Sequence, residues 1–339
     1  MVEHDNILTL TDVAIGYPKT KKEKNVLFSN INLSGRKGEL IALIGKNGIG
    51  KSTLLRNIAG LQPVLEGDIQ LLNKPVHAFK RNEFARLVSF VSTEIINVSN
   101  LKVFDLVALG RYPHTNWLGR LGKDDLQQSM EALERVGMKN FMHKNVNEIS
   151  DGERQRVMIA RTLAQDTRII VLDEPTAFLD LPNKYEIVHL LNHLSKSKHK
   201  TILFSTHDLN IAIQEADKIW LMLDDYIIEG APEDLILNDT LNRIFNQSKL
   251  NFDKLKGDFR IKRSHAQRIG VMGSGLPYNW TKKALERLNF TIEKENTSIH
   301  HVIVYQEKNS LQWKFINENG TFVFQTIYDL SLFLKSLTK

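Results

Sequence analysis

Three short stretches of this chain are almost wholly apolar: Leu40–Ile44, Ile169–Leu172 and Thr201–Ser205. A strand covered on one face alternates apolar and polar positions. One buried on both faces reads continuously, as in a parallel sheet. Helical patterns lie between these stretches, and Lys51–Ala59 reads as one of the helices. Buried strands alternating with helices specify a parallel α/β sheet. Ahead of the first stretch, residues 7–44 read as strands: Ile7, Leu8 and Leu10 open one, and Val13, Ile15 and Tyr17 alternate with period two. Leu87–Val91 predicts another strand. From about 95 to 165 strand patterns vanish, and Leu126, Met130, Leu133 and Val136 recur near helical spacing, with Gly137 as a stop. A helical insertion in the α/β core is therefore expected there. Ile219–Leu223, Asp224-Asp225 and Tyr226–Ile228 read as a hairpin late in that core.

The pattern divides the chain into a core over 1–248, a polar linker over 249–263 and a small C-terminal α/β unit over 264–339. The last has strands near Arg268–Met272, His301–Tyr305, Trp313–Ile316 and Thr321–Phe324, and helices near Trp280–Leu288 and Ile327–Leu337. Trp280, Ala284, Leu285 and Leu288 read as one apolar helix face. Gly273-Ser274-Gly275 lies between strand and helix, but Tyr278 stands where a dinucleotide fingerprint needs glycine, so a plain turn is expected.

Length agrees with two domains, since 339 residues exceed one typical domain. Hydrophobic residues at 42% and charged residues at 25% are ordinary globular values. Cysteine is absent, which excludes disulfides, thiolate metal sites and cysteine nucleophiles. Met1–Asp5 shows neither the basic start nor the apolar stretch of a signal peptide, and no apolar run approaches the ~18 residues of a spanning helix. If the chain serves transport, other subunits must cross the membrane. The net charge of +6 is compatible with a nucleotide, an anionic lipid surface or a nucleic acid as partner. Its densest basic segment, Lys19–Lys24, reads as a solvated hairpin loop.

Candidate chemistry begins directly after the first buried strand. Gly45-Lys46-Asn47-Gly48-Ile49-Gly50-Lys51-Ser52 matches G-x-x-x-x-G-K-[ST], with strand before and helix after, as a P-loop requires. Phosphate oxygens need closely packed donors. Glycines at 45, 48 and 50 let the backbone, including Asn47 and Thr53, turn its N–H groups inward at a positive helix end. Lys51 is placed to reach the β- and γ-phosphates, and the Ser52 hydroxyl to ligate Mg²⁺. The second buried strand ends in Asp173-Glu174. Ligands of a parallel sheet sit beyond the carboxyl ends of its strands. Asp173 is therefore expected to hold the metal, and Glu174 to polarise an attacking water as general base. His207, after the third strand, is open to two readings: a γ-phosphate contact or a structural histidine.

Ile149-Ser150-Asp151-Gly152-Glu153 opens a further helix, with Ser150 and Glu153 as a capping box. That helix end is a second anion site, and a head-to-tail dimer would explain it, each chain closing on the other's γ-phosphate. The segment resembles the signature of ABC transporter ATPases, usually Leu-Ser-Gly-Gly-Gln, with Ser150 and Gly152 kept and Ile149, Asp151 and Glu153 as mild departures. The resemblance covers residues from about 7 to 245 and keeps the family order: Tyr17, P-loop, helical insertion, signature, Asp173-Glu174, Asp180 and His207. It implies an ATP hydrolase of P-loop fold with ATP and Mg²⁺ as ligands, Tyr17 stacked on adenine, Ser150 and Gly152 on the partner's nucleotide, Asp180 communicating across the dimer and His207 at the γ-phosphate. Where the family carries a metal-linked glutamine, Thr93 stands here, followed by Glu94, so Thr93 is the candidate third metal residue.

Leu106–His114 and Leu172–Asp180 are similar to segments of importers of iron-siderophore, haem and cobalamin. That implies a peripheral subunit on the cytoplasmic face of the inner membrane, working with transmembrane permease subunits and, indirectly, an extracytoplasmic substrate-binding protein. The alternative is a non-transport ATPase of the same family acting on nucleic acid or ribosomes. No arginine-rich or aromatic-interleaved segment supports it, so no nucleic acid is expected. The role of the C-terminal unit is left open between regulation, dimer support and silence.

Overall fold

The computed structural model describes residues 6–18, 24–92, 100–116, 118–245, 249–254, 257–261, 267–293, 300–307 and 310–337. They form two compact units, divided between Asn246 and Gln247. The basic stretch 19–23 and the candidate residue Thr93 lie outside the described residues.

The first unit opens with a long antiparallel pair, β1 (Asn6–Pro18) and β2 (Lys24–Arg36). The two alternating runs of the sequence, one through Leu8 and Leu10 and one through Val13 and Ile15, belong to this single strand. The register shifts between Leu10 and Val13, and Asp12 takes a left-handed φ of 49° there. Such a bulge lets both runs point into one core. β3 (Leu40–Gly45) follows, buried at every position as its continuous apolar pattern predicts, and leads into α1 (Lys51–Ile58). β4 (Glu66–Leu71) and β5 (Lys74–Pro75) return to the first sheet, whose order is β2-β1-β4-β5.

Helix α2 (Arg81–Leu87) precedes β6 (Val88–Val91), so Leu87 ends a helix rather than starting the strand. The expected insertion is helical: α3 (Val103–Ala108), α4 (Lys123–Arg135) and α5 (Asp151–Ala164). Arg111 ties them together, its Nε donating to Asp125 Oδ1 at 2.9 Å and its Nη1 to Ala164 O at 2.8 Å. Gly110 has no alternative, because a Cβ would stand 2.2 Å from Arg161 O. The chain re-enters the core as β7 (Ile169–Leu172), α6 (Leu181–Lys198), β8 (Thr201–Thr206), α7 (Leu209–Glu215), β9 (Lys218–Met222), β10 (Ile227–Gly230) and α8 (Pro232–Leu237).

The second sheet has the order β10-β9-β3-β8-β7-β6 and is parallel except for β10. Its apolar face and that of the first sheet share one core, with Leu8, Val13 and Ile15 in the same cluster as Ile41, Leu43, Val171, Leu203 and Trp220. Trp220 is fully buried, and its Nε1 donates to Glu229 Oε2 at 3.0 Å. The same carboxylate accepts from Ser34 N and Ser34 Oγ, each at 2.9 Å, which joins the two sheets at their edges. Parallel pairing puts the carboxyl ends of β3, β8 and β7 side by side.

The second unit begins with β11 (Leu250–Asp253) and β12 (Asp258–Ile261), an antiparallel hairpin. This corrects the expectation of a linker over 249–263. Charged positions obscure a short alternation, and Phe252 faces Phe259 across the pair with ring centroids 5.0 Å apart. Beyond it run β13 (Gln267–Met272), α9 (Gly275–Arg287), β14 (Phe290–Glu293), β15 (His301–Glu307), β16 (Ser310–Asn317), β17 (Gly320–Phe324) and α10 (Ile327–Leu337). The sheet order is β14-β13-β15-β16-β17, with β13 parallel to both of its neighbours and the rest antiparallel. Ile269, Val271, Leu285, Val302, Trp313, Phe315, Leu330 and Leu334 form its core. Trp280 departs from the expected apolar face. It is 55% exposed, with Lys283 Nζ 5.1 Å from its ring centroid, so Ala284 and Leu285 carry the packing instead.

Candidate functional site

The phosphate loop springs from the centre of the parallel sheet. At Gly45 a Cβ would lie 2.9 Å from Met222 Cβ on β9, so only glycine lets the chain turn there. Gly48 and Gly50 take left-handed φ values of 76° and 120°. No atom lies within 4 Å of where a Gly48 side chain would begin, so the space beside that position is open. Helix α1 has no side-chain cap at Gly50 and no acidic residue in its first turn. Its first N–H groups thus receive no acceptor from a capping side chain, and a helix N-terminus of this kind favours an anion.

Lys51 is only 6% exposed, and its Nζ donates to Gly45 O at 3.0 Å and Lys46 O at 3.2 Å. Burial lowers the pKa of this ammonium, against an opposing pull from the charges of Glu174 and Asp173. A buried cation held on loop carbonyls is chemically suited to phosphate oxygens. Ser52 is exposed on α1. Thr53, one residue on, is buried, and its Oγ1 is 2.7 Å from the hydroxyl of Tyr17 on β1. That contact anchors an otherwise exposed ring beside the loop. Asn47 sits on the exposed turn of the loop, and Lys46 reaches Asp224 of the β9–β10 turn at 2.7 and 2.9 Å.

The two carboxylates stand at the end of β7. Asp173 N donates to Val91 O at 2.9 Å, continuing the pairing with β6. Glu174 then takes a left-handed φ of 45°. A non-glycine residue in that region carries strain of about 1–3 kcal/mol, and such strain concentrates at functional sites. Ser205, fully buried at the end of β8, holds both residues. Its hydroxyl donates to Asp173 Oδ1 at 2.7 Å and accepts from Glu174 N at 2.8 Å. Glu174 Oε2 lies 3.9 Å from His207 Nδ1, an ion pair when the imidazole is protonated. Lys51, Asp173, Glu174 and His207 are thus gathered at one edge of three neighbouring strands.

Sequence reasoning missed Ser205, although a hydroxyl closing an apolar run was its signal. Ser205→Ala leaves Asp173 Oδ1 and the Glu174 N–H without this partner. Each unmade buried bond costs about 1–3 kcal/mol. The expected result, read by phosphate release, is turnover down roughly tenfold with nucleotide affinity changed less than about threefold.

The signature forms a second patch. Ser150 caps α5 as its spacing predicts: Glu153 N donates to Ser150 Oγ at 3.3 Å, and Ser150 N donates to Glu153 Oε2 at 2.8 Å. At Gly152 a Cβ would meet Leu179 Cδ2 at 3.2 Å and Phe178 O at 3.5 Å, so the helix end lies on the loop that leaves Glu174. Asp180 ends that loop and caps α6, accepting from Asn183 N at 3.2 Å. Arg156 of α5 reaches Asn183, and Glu186 at 2.9 Å, on α6. Ser150, Gly152 and Asp180 therefore share this patch, linked to the acid pair by the chain segment 174–180.

A family model described as ABC transporter matches residues 28–177, and one described as iron ABC transporter C-terminal domain matches residues 266–335. An uncharacterised ABC transporter ATP-binding protein of Methanocaldococcus jannaschii is 36% identical over 259 residues, covering 76% of this chain and 88% of that protein. The petrobactin import ATP-binding protein FpuD of Bacillus anthracis is 37% identical over 236 residues, covering 69% of this chain and 86% of its own length. Among solved structures, a dimeric bacterial ABC transporter cassette superposes with a TM-score of 0.60 at 27% identity, over 66% of this chain and 98% of that one.

Proposed function

This chain belongs to the ABC transporter ATP-binding family, and on that premise we propose that it powers import of an iron chelate through a separate permease. Its ATPase character is that of the family. The observation that carries the mechanism is the gathering of Lys51, Asp173, Glu174 and His207 at the carboxyl edge of β3, β7 and β8.

Two chains pair head to tail. Each ATP lies on one chain's phosphate loop, its adenine on Tyr17, and meets the Ser150 and Gly152 helix end of the other. Lys51 and the N–H groups of α1 hold the β- and γ-phosphates. Glu174 accepts a proton from the attacking water, while His207 touches the γ-phosphate. The γ-phosphate bridges the chains only while it is intact, so hydrolysis reopens the dimer and Asp180 relays the change.

The residues also suit Mg²⁺. Among the described residues no group of three His, Cys, Asp or Glu could form a dedicated cage. Mg²⁺ characteristically binds one or two protein groups plus substrate phosphates. Ser52, exposed on α1, offers a hydroxyl, and Asp173 has one oxygen held by Ser205 and another to give. The ion would neutralise phosphate charge in the transition state.

Support for an iron-chelate cargo comes from the petrobactin import relative and from the iron transporter C-terminal match. No helix among the described residues is long and apolar enough to cross a membrane, so the pathway belongs to partner subunits. A groove of about 680 Å³ lined by Gly60, Leu61, Val76, Phe79, Arg81 and Phe84 offers such a subunit an apolar seat. The working position is then the cytoplasmic membrane face, with a substrate-binding protein on the far side.

The test is uptake of radiolabelled ferric siderophore by cells carrying this chain, its permease and its binding protein. Uptake is expected to fall at least about tenfold when Lys51 is replaced by alanine. Absence of any polytopic partner on purification, with no uptake of ferric siderophore, haem or cobalamin, defeats the transport reading.

A further inference from the structure

We infer that Glu153 restrains the signature serine in the nucleotide-free chain and thereby sets how much ATP is needed to close the dimer. This rests on the reading above that the α5 N-terminus meets the partner's γ-phosphate. Such a site needs a hydroxyl free to donate, backbone N–H groups free to donate and a positive helix end. Glu153 engages or offsets each of them.

The Ser150 hydroxyl donates to Glu153 Oε2 at 2.9 Å, and Ser150 N donates to the same oxygen at 2.8 Å. Glu153 N in turn donates to Ser150 Oγ at 3.3 Å. A hydroxyl has one proton, so while Glu153 accepts it none is available to phosphate. A bond to an ionised carboxylate is also stronger than one to a neutral amide oxygen.

Charge acts in the same direction. The helix end supplies about half a positive charge, and the first turn of α5 carries both Asp151 and Glu153. Asp151 is met by Arg154 Nη1 at 2.8 Å. Glu153 has no cationic partner among the described residues, so its charge faces the incoming phosphate uncompensated. Glutamine, usual at this position in the signature, would keep the acceptor for Ser150 N and shed the charge. Closure here requires that phosphate displace a carboxylate from its own cap, which makes Glu153 a positioning residue acting through Ser150.

The experiment uses the full-length chain carrying Glu174→Gln to block turnover, titrated with Mg-ATP while light scattering reads the dimer fraction. Adding Glu153→Gln is expected to lower the half-maximal ATP concentration about five- to tenfold. Affinity for a fluorescent ATP analogue, at protein concentrations too low for dimers, stays within about twofold. In the hydrolysing chain the same substitution lowers the apparent KM and changes kcat less. Because glutamine keeps the cap, the thermal midpoint barely moves. In a Ser150→Ala background the gain shrinks to the part that the charge alone supplies, about two- to threefold. A gain that persists in full there overturns restraint through the hydroxyl. An unchanged or raised ATP requirement in Glu153→Gln overturns the inference and leaves the phosphate sandwich standing, provided Ser150→Ala still weakens dimerisation. If Ser150→Ala is also without effect, the sandwich itself falls.

Discussion

Replacing Glu174 with glutamine is expected to trap an ATP-bound dimer, with turnover at least ~10²-fold below that of the parent chain. Glutamine keeps the length of the side chain and, like glutamate, tolerates the strained φ of 45° that the Ser205 bond to Glu174 N supports. What it loses is the ability to take a proton from water. On the proposed reading ATP binding does not depend on that ability, since Lys51 and the loop are what hold the phosphates. The variant should therefore bind nucleotide, close and stop. Steady-state phosphate release measures the loss, and light scattering with Mg-ATP measures the trapped dimer. Turnover within about threefold of the parent would remove Glu174 from the role of base and point to its neighbour His207, 3.9 Å away.

The site was legible where chemistry forces a particular residue type. Gly45, Gly48 and Gly50 declare themselves because the turn they make leaves no room at Gly45, and no ordinary φ at Gly48 and Gly50, for a side chain. Asp173 and Glu174 declare themselves because two carboxylates directly after a continuous apolar run mark the carboxyl end of a buried strand, the edge where parallel sheets bind ligands. Ser150 was legible as a cap from its spacing to Glu153. What spacing could not give is convergence. That Ser205 of β8 holds both acids of β7 follows from the strand order, and periodicity does not encode order. Nor could spacing tell that the Glu153 carboxylate holds the hydroxyl of Ser150 as well as its N–H.

The same contrast holds for the fold. Strands buried on both faces, β3, β7 and β8, were found with their ends nearly correct, because nothing else reads as a short unbroken apolar run. Elements with weak or mixed patterns escaped. The β11–β12 hairpin reads as linker because its four apolar residues, Leu250, Phe252, Phe259 and Ile261, are matched by as many polar ones in two very short strands, and β4 is hidden because Glu66, Gly67 and Asp68 open it. Trp280 misled for the opposite reason. An aromatic residue at helical spacing suggests core, but a tryptophan ring also serves as an exposed platform for a lysine, as it does here with Lys283.

Lys51→Met separates binding from chemistry, because it should fail at the step that Glu174→Gln passes. Methionine keeps much of the apolar stem and removes the ammonium. Charge-assisted bonds to phosphate are worth about 1.5–3 kcal/mol each, so losing them lowers nucleotide affinity on the order of 10²-fold. The nucleotide-free chain is affected as well. Gly45 O loses its bond from Nζ, and Asp173 and Glu174 lose the cation whose pKa they act on. Ligand-dependent stability gives a readout that does not need turnover. At an ATP concentration 100 times the parent Kd, binding stabilises the folded chain by about 2.7 kcal/mol. With Kd raised 10²-fold, the same ATP contributes about 0.4 kcal/mol, and most of the nucleotide-induced rise in thermal midpoint disappears. Glu174→Gln should keep that rise in full. Lys51→Met retaining the parent's ATP-induced shift would place the phosphates elsewhere, because the Nζ of this buried lysine, held by two loop carbonyls, is the cation that the proposed site offers them.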